Sequence, residues 1–206
     1  LVVPPAPAHP EGTLVQLLAD RVGGGEGWRA GLVHRLDRDT SGLLVLAKND
    51  AVHTALKEQL QARTMGRTYT ALVEGRPASR TGTIDAPIGR DRRVRTRHST
   101  DTATPREART HFEITELLGR YTLLDVTLET GRTHQIRVHL EAIGHPVAGD
   151  PVYGHDGLLG LDRQFLHAAA LEFTHPGSGE RLQFTSPLPS DLESALQRVR
   201  SHTGTT

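Results

Sequence analysis

Two alternating runs separated by a two-residue link constrain this chain more than any other feature of it. Thr110-His-Phe-Glu-Ile-Thr-Glu-Leu118 alternates polar and apolar, with Phe112, Ile114 and the next apolar pair marking one face. Gly119-Arg120 then turns the chain into Tyr121-Thr-Leu-Leu-Asp-Val-Thr-Leu128. A period of two is what a strand needs to bury one face, and a short link containing glycine makes the pair an antiparallel hairpin. Around it stand further strands. Arg67-Thr-Tyr69-Thr-Ala-Leu-Val73 is closed by Gly75 and Pro77, and residues 166–173 and 181–185 flank the turn His175-Pro-Gly-Ser-Gly179. Gly42-Leu-Leu-Val-Leu-Ala47 is a shorter run rich in strand formers.

Helical periodicity fills the gaps. Thr13 precedes Leu14, Leu17 and Leu18, a pattern ended near Gly23-Gly24-Gly25. Asn49 or Asp50 caps a helix with Val52, Leu56 and Leu60 in step. Thr133 caps one with Ile136, Leu140 and Ile143 on a stripe and Gly144 as its stop. Ser190 and Glu193 make a capping box for a last helix with Leu192, Leu196 and Val199 inward, followed by a frayed Thr-Gly-Thr-Thr tail. Residues 76–108 read as loop or short strands. Hairpins with scattered helices predict an α+β domain over residues 1–206, with a mixed, mainly antiparallel sheet and no regular βαβ alternation.

Composition narrows the chemistry. There is no cysteine, which removes disulfides, thiolate metal sites and a cysteine nucleophile. Lysine plus arginine and aspartate plus glutamate both number 24, so the chain is neutral overall. Lys48 and Lys57 are the only lysines, so the other 22 cations are arginines, whose planar fork suits phosphate and base edges. Codon usage in a GC-rich genome explains the same bias. Six arginines (Arg90, Arg92, Arg93, Arg95, Arg97 and Arg106) crowd one loop, as phosphate contacts or as a solvated surface. No apolar run is long enough for a membrane helix. Leu1-Val-Val-Pro-Pro has neither a secretory signal's pattern nor an initiator methionine, and the expected location is the cytoplasm. His134 and His139 are five apart, off the spacing of a helical zinc pair, and no His-Glu-x-x-His occurs. The glycines at 23–27 lack the Lys-Ser/Thr of a phosphate loop, and neither Ser41 nor Ser186 stands in a nucleophile elbow.

Two segments concentrate reactive side chains. His34-Arg35-Leu36-Asp37-Arg38-Asp39-Thr40-Ser41-Gly42 sets two acids just before an apolar run. Either these form a solvated loop with Asp37 paired to Arg35 or Arg38, or one carboxylate is held ionised by an arginine, as a nucleophile or general base requires. Gly131-Arg132-Thr133-His134-Gln135-Ile136-Arg137-Val138-His139 is the other. Arg137 lies beside the apolar stripe, so it either reaches along the core edge into a cleft or forms an i,i+4 ion pair with Glu141. Tyr69 is one of three tyrosines, either a core ring or a platform for a base.

Taken in order, these segments resemble the RluA-type family of RNA pseudouridine synthases. The segment at 34–42 resembles that family's signature around its catalytic aspartate, Arg67 to Gly75 its tyrosine-bearing strand, and Gly131 to Leu140 its arginine-bearing segment. Gly144-His-Pro-Val-Ala-Gly-Asp150, Tyr153-Gly154, Leu166-His-Ala168 and Ser186-Pro-Leu-Pro189 follow as that family would have them. The resemblance covers nearly the whole chain and implies the pseudouridine synthase fold. It implies Asp37 as the catalytic aspartate, Tyr69 against the target uracil, and Arg137 keeping Asp37 ionised. It also implies Arg35 entering the space of a flipped nucleotide, with Arg132 and Gln135 as further RNA contacts. The implied partner is ribosomal or transfer RNA, acted on by a monomer with no metal, redox cofactor or membrane. A strand that family members carry ahead of Leu1-Val-Val3, and the S4-type RNA-binding module many of them have, are not in this chain. Two other functions use the same residues: an RNA-docking module without activity, and a carboxylate glycosidase, which would need two placed acids.

Overall fold

The computed structural model describes residues 13–25 and 27–203, with only the backbone described at Trp28 and Thr203. In chain order the elements are α1 (Leu14–Leu17), β1 (Ser41–Gly42), α2 (Asp50–Gln61), β2 (Gly66–Glu74), β3 (Thr81–Asp85), β4 (Gly89–Arg90) and β5 (His98–Ser99). They continue with β6 (Arg109–Leu118), β7 (Tyr121–Leu128), α3 (Gln135–Ala142), β8 (Leu166–Thr174), β9 (Arg181–Thr185) and α4 (Ser190–Thr203). The fold is α+β. Among the described residues, no helix is long and apolar enough to cross a membrane.

The chain divides into two compact units. The first comprises Leu1–Asp39, Leu43–Arg67 and Ala170–Ser186, and the second Thr40–Gly42, Thr68–Ala169 and Pro187–Thr206. Strands β2 and β8 each have residues in both.

In the first unit, Asn49 caps α2 by accepting the Val52 N–H at 3.0 Å, and Asp50 in the first turn complements the helix dipole. Val52, Leu56 and Leu60 then face a core of Val33, Ala47, Met65, Leu171 and Phe173. Strand β9 pairs antiparallel with the second half of β8, Leu171 opposite Phe184. Two expectations fail here. Helix α1 is one turn: Thr13 and Gln16 close a capping box, Val15 is its buried residue, and Leu17 is 68% exposed. A turn that buries so little gains nothing by propagating, since tertiary packing of an apolar face supplies most helix stability. Nor do residues 43–47 form a strand. Among the described residues their only bridge is Leu32 opposite Leu46, and the limb is tied instead by a side chain, described below.

In the second unit the strand order is β1-β8-β2-β7-β6-β3. β1 runs parallel to β8, while β2–β7, β7–β6 and β6–β3 are antiparallel, giving the mixed sheet expected. The central hairpin carries a bulge between Ile114 and Glu116, and the Thr115 hydroxyl donates to the Leu123 carbonyl at 3.1 Å. The next apolar pair splits, Leu118 at 4% exposure and Leu117 at 43%, because adjacent strand residues point to opposite faces.

Helix α3 departs most from expectation. Thr133 is not its cap. His134 holds that position in the left-handed region (φ 56°) without a side-chain cap bond, its ring meeting the Tyr153 hydroxyl at 3.0 Å instead. Residues 135 to 140 are all buried, so the helix threads the core and does not lie on it with one stripe, and Ile143 is outside at 38%. Gly144 does end it, at φ 81°. Helix α4 includes Ser190 itself, one residue earlier than a capping box would have it, and its first turn is held through Asp191 to Arg163. Leu192, Leu196 and Val199 are buried as expected. The strand ahead of Leu1 and the residues of the tail beyond Thr203 lie outside the described residues.

Candidate active site

In the first unit, residues 31–39 and 43–47 are the two limbs of a loop with a closed neck. The Ala47 N–H donates to the Gly31 carbonyl at 2.8 Å, and Leu32 bridges Leu46. His53 of α2 donates through Nε2 to the Leu32 carbonyl at 3.1 Å. The Val45 N–H donates to His34 Nε2 at 3.2 Å. Burial first, and then the positive Arg67, lower the His34 pKa to about 4, so the ring is neutral at physiological pH. At the loop's far end Asp37 is half-buried and Arg35 exposed. Arg38 pairs with Asp39 at 3.4 Å, both exposed, and Asp39 adopts φ 66°.

The loop's next residues belong to the second unit and are clamped there. Gln164 donates to the Thr40 hydroxyl at 3.0 Å. Ser41 Oγ lies 2.9 Å from His167 Nδ1 and accepts from Arg163 at 3.3 Å, while Arg163 is itself held by both oxygens of Asp191. Gly42 has no alternative: a Cβ there would lie 2.2 Å from the Ala168 carbonyl oxygen, and its φ is +109°. The Thr-Ser-Gly end of the segment is therefore a docking device for β1 on β8.

Tyr69 lies on β2 opposite Val126 and is 6% exposed. Arg137 is 4% exposed on α3. Glu141 pairs with Arg97 at 2.8 Å, whereas Arg137 makes a two-pronged bond with Asp150, Nε to Oδ2 at 2.6 Å and Nη2 to Oδ1 at 2.8 Å. Asp150 is fully buried and also accepts the N–H groups of Val152 and Tyr153. Burial alone would raise its pKa, but the Arg137 hydrogen bonds and charge, helped by those two N–H groups, hold the carboxyl below its usual range. The guanidiniums of Arg137 and Arg97 lie 5.0 and 4.7 Å from the centre of the Tyr153 ring. The Tyr153 hydroxyl accepts the His98 N–H and meets His134 Nδ1, each at 3.0 Å, which fastens the β4–β5 ribbon to the start of α3.

Gln135 and His139 form a hydrogen-bond chain whose polarity can be assigned throughout. The Ala86 carbonyl accepts from His139 Nε2, so His139 Nδ1 must accept from the Thr110 hydroxyl, which in turn accepts from Gln135 Nε2. The second Nε2 proton goes to the Arg109 carbonyl, and Gln135 Oε1 accepts from the Thr130 hydroxyl and the Arg132 N–H. All four hydrogen-bonding positions of the amide are thereby used inside the protein at 3% exposure, so Gln135 has no capacity left for RNA. Burial lowers the His139 pKa, which keeps the ring neutral as this chain requires. Arg132, by contrast, spends its Nε on the Glu107 carbonyl and remains half-exposed.

In the arginine loop, Arg90, Arg92, Arg93, Arg95 and Arg106 are exposed. Asp91 organises the turn by accepting the N–H groups of Arg93 and Val94 at 2.8 Å. Arg97 alone of the six is drawn inward, between Glu141 and Tyr153. Sequence reasoning missed Asp150 and Tyr153 as partners of Arg137. The signal was present in the segment from Gly144 to Gly154, which stood in the resemblance without a role.

Comparison with known proteins agrees with this organisation. The family model described as RNA pseudouridylate synthase matches residues 7–142. An uncharacterized RNA pseudouridine synthase of Chloroflexus aurantiacus is 55% identical, covering 97% of this chain and 64% of that protein. Ribosomal large subunit pseudouridine synthase D of Nitrosomonas europaea is 48% identical over 98% of this chain and 60% of its own length. Among solved structures, human RNA Pseudouridylate Synthase Domain Containing 1 superposes with a TM-score of 0.66 at 28% identity, covering 84% of this chain and 80% of that one. The chain belongs to the RNA pseudouridylate synthase family. It spans a little under two thirds of the length of the two bacterial relatives.

Proposed function

We propose that the protein isomerises uridine to pseudouridine in RNA, with Asp37 as the catalytic carboxylate. The observation that carries the proposal is the family match over residues 7–142, which spans Asp37, Tyr69 and Arg137 together. The reaction breaks the C1′–N1 bond, turns the uracil, and forms C1′–C5. The C5 proton leaves and N1 gains one, so the product is an isomer and the balance calls for no oxidant, reductant or water. An ionised carboxylate beside the sugar and the detached base is the group such a step needs. In this reading Tyr69 packs against the uracil, and Arg137, braced by Asp150, completes the catalytic set. The exposed Arg35 fills the stack after the nucleotide flips out, which offsets an unstacking cost of a few kcal/mol. Arg132 and the exposed arginines at 90, 92, 93, 95 and 106 hold phosphates.

Ribosomal RNA is the favoured substrate, since the Nitrosomonas relative is named for the large ribosomal subunit. The enzyme would then act as a monomer in the cytoplasm, where ribosomal RNA is processed. The test is tritium release from RNA labelled at uridine C5, using ribosomal and transfer RNA in parallel. Release from ribosomal RNA by the wild-type protein and none by Asp37→Asn is expected. Release from transfer RNA alone would move the substrate, RNA binding without release would make the chain a docking module, and free uracil as the product would make it a glycosidase.

A further inference from the structure

The neck of the loop that carries Asp37 is closed by rungs of two kinds. The inner ones are backbone: Ala47 N–H to the Gly31 carbonyl, and the Leu32–Leu46 bridge. At the outermost rung the acceptor changes to a side chain, with the Val45 N–H reaching His34 Nε2 at 3.2 Å. Because Nε2 accepts, the ring proton sits on Nδ1. We infer that His34 is a positioning residue for Asp37: its imidazole acts as the last rung of the neck and so fixes where the carboxylate three residues further on is presented to RNA.

Two observations support the assignment. The neck is rigid beneath this rung. Val33 and Ala47 are buried in the core with Leu56 and Met65, Leu43 and Val45 pack against it, and His53 of α2 ties down the Leu32 carbonyl. The rung holds only with a neutral ring, and the surroundings favour one. Nδ1 is out of solvent, and the charged group that acts on the ring, Arg67 at the start of β2, opposes a second positive charge.

The inference rests on Asp37 being the catalytic carboxylate, and its test separates the two. His34→Gln puts Oε1 where Nε2 stands, whereas His34→Asn is too short to reach Val45 and His34→Leu has no acceptor. Each variant of the full chain is assayed for single-turnover pseudouridine formation, for RNA dissociation constant, and for hydrogen exchange at the Val45 amide. The Gln variant should stay within about threefold of wild type in rate. Asn and Leu should lose about 10- to 100-fold, the size expected of a misplaced reacting group. Their RNA affinity should be unchanged within about twofold while Val45 exchange accelerates, since binding through phosphates does not depend on this rung. If the Leu variant does not fold, the Asn variant decides. Wild-type turnover in Asn or Leu, equal losses in Gln and Leu, or unchanged Val45 protection in the Asn variant would overturn the inference. Asp37→Asn is run alongside. If it turns over normally, the reading of Asp37 fails, while Val45 exchange still reports whether His34 closes the neck.

Discussion

Replacing Asp150 by asparagine probes the buried ion pair on which α3 is hung. Asp150 Oδ1 accepts from Arg137 Nη2, Val152 N–H and Tyr153 N–H, and Oδ2 accepts from Arg137 Nε. An asparagine can keep its oxygen at the Oδ1 position and retain the two backbone bonds. Its NH2 then faces the Arg137 Nε–H, donor against donor, and Arg137 at 4% exposure loses its countercharge. Breaking a buried pair from one side costs about 3–5 kcal/mol, most of it the uncompensated charge left behind. With a urea m-value of roughly 2–3 kcal/mol/M for a chain of this size, the unfolding midpoint should fall by about 1–2 M. The penalty also depends on pH with a fixed sign. The Asp150 pKa is lowered on folding, so the unfolded chain takes up its proton first as pH falls. The stabilisation is complete above the usual carboxylate value of 3.8 and falls by at most about 1.4 kcal/mol per pH unit below it, so wild type and variant draw closer near pH 3 and converge only below the lowered folded-state value. Urea unfolding followed by circular dichroism at neutral pH and near pH 3 measures both. A neutral-pH loss under about 1 kcal/mol, the range of exposed pairs, would refute the claim that this pair is desolvated and structural.

Other consequences follow from the same packing. Gly42→Ala should cost well over about 2 kcal/mol or prevent folding, because it combines positive φ with a Cβ driven into the Ala168 carbonyl; expression and thermal unfolding would show this. Gln135→Leu should lower stability by about 2–4 kcal/mol through the donors and acceptors it strands, and should leave RNA affinity within about twofold in filter binding, since its amide is spent inside the protein. The pKa of His34 falls from 6.5 to about 4 on folding, so wild-type stability should decline as pH falls through that window by roughly 1.4 kcal/mol per unit at most for this group. His34→Gln removes that share of the slope in pH-dependent unfolding, and the part due to His139, also lowered by burial, remains.

What the sequence revealed and what it hid divide along one physical line. The hairpin of β6 and β7, strand β2, and helices α2 and α4 were legible because periodicity and local caps decide them. Asn49 reaches Val52 within its own turn, and Phe112 pairs with Val126 inside one hairpin. The features that were not legible are settled by distant partners. Residues 43–47 look like a strand, yet their outer rung is supplied by the ring of His34. Thr133 looks like a helix cap, yet His134 takes that position, its ring meeting the Tyr153 hydroxyl. Helix α3 shows an apolar stripe, yet Gln135, Arg137 and His139 are buried as well, because each meets a polar partner brought from β6 or from the segment at 150. The same holds at the site. The family resemblance points to Asp37, Tyr69 and Arg137, but it does not say that Asp150 and Tyr153 would hold Arg137, or that His34 would close the loop.

The most direct test of the central claim is to measure binding and chemistry separately in Asp37→Asn. With a ribosomal RNA substrate, the dissociation constant should stay within about threefold of wild type, since phosphate contacts supply most of the affinity. Single-turnover pseudouridine formation should fall by about a thousandfold or more, the scale expected when a reacting group is removed. A variant that binds normally and still converts uridine at a tenth of the wild-type rate or faster would contradict the assignment of Asp37 as the catalytic carboxylate.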